Sequence, residues 1–61
     1  MAIFTNTFTV EQTNSTTGRW IFASLEEAIR FASRLEADLI RLDLPGRAIV
    51  RKNGREVIWG S

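Results

Sequence analysis

The sequence contains neither cysteine nor histidine. Those two absences exclude a disulfide framework, a thiol nucleophile, the commonest general base and the usual zinc and haem ligand sets. Glycine is scarce and stands singly at Gly18, Gly46, Gly54 and Gly60, so there is no glycine-rich phosphate loop. Proline occurs once, at Pro45, and no low-complexity linker divides the chain. No apolar run approaches the ~20 residues that a membrane span needs, and the N-terminus lacks the charged-then-apolar pattern of a secretion signal. A cytoplasmic location is expected, and the sequon Asn14-Ser15-Thr16 reads as chance.

What remains is an ordinary globular composition in 61 residues: 44% hydrophobic, 25% charged, net charge +1. One domain spanning 1–61 is the expectation. A core this small supplies only about 3–5 kcal/mol. With disulfides and metals excluded, association of two copies is the expected support. Charge is uneven along the chain. Acidic side chains dominate up to Ile40, whereas Arg41, Arg47, Arg51, Lys52 and Arg55 face only Asp43 and Glu56 afterwards. Arginine accounts for all but one of the basic residues, and its planar fork suits carboxylate and phosphate pairing.

The stretch 3–12 alternates as a strand does, with Phe4, Phe8 and Val10 on one face and Thr5, Thr7, Thr9 and Glu11 on the other. A polar loop closed by Gly18 is too short for a crossover, so the strand 19–23 returns antiparallel. Trp20 and Phe22 share its inward face with Phe4 and Phe8.

A helix over 24–41 follows at once. Ser24 is its N-cap, and Glu27, three residues on, completes a capping box. Leu25, Ala28, Ala32, Leu35, Leu39 and Leu42 form one apolar stripe. Two residues depart from this pattern. Glu36 lies within the stripe, and Phe31 lies at its edge, where it is a candidate contact with a second copy. Pro45-Gly46 closes the segment.

Asn53-Gly54 then joins strands 47–52 and 55–59 through a type I′ hairpin, since both turn positions need positive φ. A two-residue loop sets Lys52 opposite Arg55, Arg51 opposite Glu56, Val50 opposite Val57, Ile49 opposite Ile58 and Ala48 opposite Trp59. Both hairpin faces carry apolar residues, which makes Ile49 and Ile58 candidates for a contact surface and a dimer interface. The resulting order is ββαββ, an α+β two-layer sandwich with one antiparallel sheet packed on a single helix.

The run from Trp20 to Ile29, a strand passing into a capped helix, resembles small ββαβ proteins. Among them are short bacterial domains of unknown function and the small phage-encoded inhibitors of bacterial RNA polymerase. That resemblance implies a protein that works by binding another protein, with Arg47 or Arg51 nearest to the arginines that follow the helix in the phage inhibitors. The fourth strand departs from their pattern.

Function is therefore expected to lie in binding. Adjacent carboxylates such as Glu26 and Glu27 are capping or solvated groups, and no catalytic set, cofactor or metal site is expected. The first reading is a non-enzymatic protein-interaction module of the inhibitor or adaptor type, acting as a homodimer. It would bind another protein through the C-terminal hairpin or an open sheet edge, using Arg47, Ile49, Arg51, Lys52, Arg55 and Ile58. The alternative is a nucleic-acid-binding protein using Arg47, Arg51, Lys52 and Arg55, with Trp20 or Trp59 to stack. A pI near 8.5 is low for that role.

Overall fold

In the computed structural model, which describes residues 6–14 and 17–60, the chain runs β1 (Phe8–Gln12), β2 (Arg19–Phe22), α1 (Leu25–Arg41), β3 (Ala48–Lys52) and β4 (Glu56–Trp59). One antiparallel sheet in the order β2-β1-β3-β4 packs against the helix. The expected ββαββ two-layer sandwich is the observed one. Ile3–Thr5 of the expected first strand, with Phe4, and Ser15–Thr16 of the sequon lie outside the described residues.

Chain order explains the topology. The short polar turn after β1 folds β2 back along it, pairing Phe8 with Phe22 and Val10 with Trp20. The helix then carries the chain across the sheet, and β3 enters on the other side of β1, pairing Val10 with Val50 and Gln12 with Ala48. Thr13 and Arg47 extend this ladder: the Thr13 amide donates to the Arg47 carbonyl at 2.9 Å, and the Arg47 amide donates to Thr13 Oγ1 at 2.9 Å.

The helix begins and ends on identifiable groups. Ser24 has extended backbone and its Oγ accepts from the Glu27 amide at 3.4 Å, with Glu26 and Glu27 in the positive first turn. At the other end Leu44 N–H donates to the Leu39 carbonyl and Asp43 N–H to the Ile40 carbonyl, at 2.9 and 3.1 Å. This is a Schellman ending, with Asp43 in the left-handed position that glycine usually takes (φ 56°).

Small residues set the spacing of the two layers. Ala28 and Ala32 are fully buried against Phe8, Val10, Ala48 and Val50, which brings the helix backbone close to the sheet. The outer leucines of the stripe behave differently from expectation. Leu25, the first helical residue, and Leu42, the C-cap, are exposed. Phe31 packs at the side of the core, its ring 4.9 Å from Trp20 and 5.3 Å from Phe22.

The C-terminal hairpin corrects the expected register. Asn53 and Gly54 do adopt positive φ (54° and 72°), and Arg55 N–H closes the turn on the Lys52 carbonyl at 3.1 Å. The Arg55 carbonyl, however, accepts from Arg51 Nη1 at 2.9 Å. Pairing with β3 begins one residue later, with Lys52 opposite Glu56 and Arg51 opposite Val57. An irregularity follows, so that Val50 faces Trp59 and Ile58 is an extra residue on β4. The bulge brings both Ile58 and Trp59 against the helix-side core. Ile58 is thus not the neighbour of Ile49 on the outer face; Val57 takes that face instead.

Candidate functional site

The face of the sheet opposite the helix carries no second layer among the described residues. Strand alternation places Thr9 and Glu11, Arg19 and Ile21, Ile49 and Arg51, and Val57 there. The registers align four of them in one row crossing every strand: Ile21, Thr9, Arg51 and Val57. Ile21 is 69% exposed and Val57 41%, while Thr9 between them is buried. Both ends of the row are apolar and open.

Its centre carries an ion pair. Arg51 Nε lies 3.2 Å from Glu11 Oε2, and both side chains are largely shielded from solvent. Glu11 also faces Arg19 across the β1–β2 ladder. Arg51 therefore acts as a bracket, holding β1 through Glu11 and the hairpin turn through the Arg55 carbonyl.

The structure separates the expected binding residues. Ile49 is only 7% exposed, and Ile58 is half-buried against the core. Lys52 pairs with Phe8 and Glu56, so it points to the helix side at the turn end of β3. Arg55 is exposed in the turn. Arg47 precedes the opposite end of β3, five residues and about 17 Å from Lys52 at the usual strand rise. Arg51 lies on the other face, paired with Glu11. The four basic residues of the nucleic-acid reading thus do not form one patch.

Ile21 and Val57 are not among the expected binding residues. Ile21 was legible, because Trp20 and Phe22 on one face put it on the other. Val57 was not, because the one-residue delay that starts the β3–β4 ladder at Lys52–Glu56 and turns it outward has no composition cue.

A concavity of about 680 Å³ lies where the helix C-terminus meets the β1–β2 turn. Glu36, Leu39, Asp43, Asn14 and Arg47 line it. Glu36, anomalous in the apolar stripe, forms part of this wall and is half-buried there. Among the described residues no three metal-ligating side chains gather, and no helix is long and apolar enough to cross a membrane. No protein-family model, curated protein or solved structure matches the chain.

Proposed function

We propose that this chain is a small non-enzymatic protein-interaction module, a homodimer, that binds another protein through the uncovered face of its sheet. The observation that carries this reading is the Ile21–Thr9–Arg51–Val57 row: apolar and exposed at both ends, backed by a rigid two-layer fold. Burial of Ile21 and Val57 removes apolar area from water at roughly 25 cal/mol per Å². The Arg51–Glu11 pair is already neutralised, so it adds polar complementarity without demanding a strongly charged partner. Protein is favoured over nucleic acid because Arg47, Arg51, Lys52 and Arg55 point to different sides or ends of the sheet.

Capture from source-cell lysate with immobilised protein, after nuclease treatment, tests the reading. A protein retained by the wild type and lost with Val57→Asp, under conditions where the variant keeps its far-UV spectrum, supports it. Release of the captured material by nuclease, or equal capture by Val57→Asp, overturns it.

A further inference from the structure

We infer that β2 is the dimer seam: β2 of one copy pairs antiparallel with β2 of a second, in a register centred on Ile21. The inference rests on the homodimer reading above and specifies its contact.

The two edges of the sheet differ. β4 is interrupted by the bulge at Ile58, one of the devices that blunts an edge against pairing. β2 has no bulge, no proline and no lysine, and its sequence Arg-Trp-Ile-Phe carries one charge, at its first residue. Trp20 and Ile21 remain 37% and 69% exposed on it. A regular, apolar, open edge is a template for another strand.

The backbone fixes the register. The Gln12 amide donates to the Gly18 carbonyl at 2.8 Å, so these two form a hydrogen-bonded pair of the β1–β2 ladder. Such pairs alternate along an antiparallel ladder, which makes Val10–Trp20 and Phe8–Phe22 hydrogen-bonded pairs as well. Trp20 and Phe22 therefore direct their amides and carbonyls inward to β1. Those of Ile21 point outward, where no further strand lies among the described residues.

Two outward-pointing Ile21 residues meet best around a twofold axis, each amide donating to the other's carbonyl. The Ala23 amide of each copy then faces the Arg19 carbonyl of the other. This register is self-complementary in its side chains. Trp20 stands opposite Phe22 of the second copy, and the reverse, as non-hydrogen-bonded pairs with Cα atoms about 4.5 Å apart. Aromatic cross-strand pairs are among the favourable ones. They extend the existing Trp20–Phe31–Phe22 ring group across the seam. Arg19 opposes Ala23 of the second copy, so no like charges meet. Both helices lie on the same side of a continuous eight-stranded sheet, and the exposed rows join end to end through Ile21.

Sedimentation equilibrium of the full chain across a micromolar-to-millimolar series, with Ile21→Pro and Ile21→Lys, tests the seam. Proline at this position removes an outward amide while leaving the β1–β2 bonds intact. Lysine sets two like charges against each other on the axis. The wild type is expected to dimerise, and each variant to associate at least about tenfold more weakly, Ile21→Pro through the loss of two backbone hydrogen bonds and Ile21→Lys through the like charges on the axis. Where Ile21→Pro loses its far-UV spectrum, Ile21→Lys decides. A wild type that stays monomeric overturns the seam and leaves partner capture by the open face standing. A dimer that tolerates both substitutions also overturns it, while leaving the homodimer itself standing.

Discussion

Arg51 joins Glu11 and the Arg55 carbonyl with one guanidinium: Nε sits 3.2 Å from Glu11 Oε2 and Nη1 donates to Arg55 O at 2.9 Å. The contact ties the central strand, its neighbour and the hairpin turn together on a partly shielded surface.

Arg51→Ala is expected to lower stability by about 1 kcal/mol, above the usual value for an exposed pair, since it leaves Glu11 partly buried without its cation. Arg51→Lys recovers only part of that loss, because an ammonium cannot span both acceptors as the fork does. Arg30→Ala is the control. Its 3.0 Å pair with Glu26 is exposed on the helix, so the change should stay within about 0.5 kcal/mol. Urea midpoints of the three variants check the order.

Asp43→Gly is expected to stabilise the protein by about 0.5–1 kcal/mol. Asp43 holds a left-handed conformation (φ 56°) at the helix C-terminus, where a β-carbon is unfavourable and a negative charge opposes the dipole. Glycine removes both penalties and keeps the Schellman bonds. A higher thermal midpoint with an unchanged spectrum is the outcome to look for.

Gly60→Ala tests the close approach after β4. A β-carbon there would come 2.4 Å from the Ala48 carbonyl oxygen, and the backbone has φ 76°. The atoms met there belong to the backbone of Ala48 and Ile49 and not to a flexible side-chain end, so the end of β4 must move away from β3. A loss of about 1–3 kcal/mol is expected. Trp59 fluorescence should shift with it, because Trp59 pairs with Val50 beside this contact.

Ala32→Leu probes the separation of helix and sheet. Ala32 is fully buried in the cluster formed by Phe8, Val10, Ala28, Ala48 and Val50. Three extra carbons have no space there, and overpacking of this kind typically destabilises by about 1–3 kcal/mol. Chemical denaturation reads the change. The same substitution at exposed Ala37 should be close to neutral.

The elements were legible because each carried a local physical signal. Ser24 with Glu27 marked the helix start, Pro45-Gly46 its far limit, and Asn53-Gly54 the turn. The ββαββ arrangement follows from these and from the alternation of β1. The hairpin faces were less legible, since the one-residue delay at Arg55 and the bulge at Ile58 decide them. Neither has a composition cue. The apolar stripe showed which side of the helix is buried but not that its first and last members, Leu25 and Leu42, stay exposed. The uncovered row was half visible: Ile21 follows from period-two alternation, whereas Val57 depends on the one-residue shift with which the β3–β4 ladder begins.

Asn53 has a role beyond its turn geometry. Its amide donates to the Thr7 carbonyl at 2.8 Å, its Oδ1 accepts from the Thr7 amide at 3.0 Å, and its Nδ2 donates to Asn6 Oδ1 at 3.2 Å. The hairpin tip thereby grips the chain just before β1, continuing the β1–β3 ladder past its last rung. A slip of β1 by one residue would break all three bonds and turn Phe8 and Val10 to the uncovered face. Asn53 thus works as a pawl: it lets the two hairpins meet in one alignment and penalises every neighbouring one.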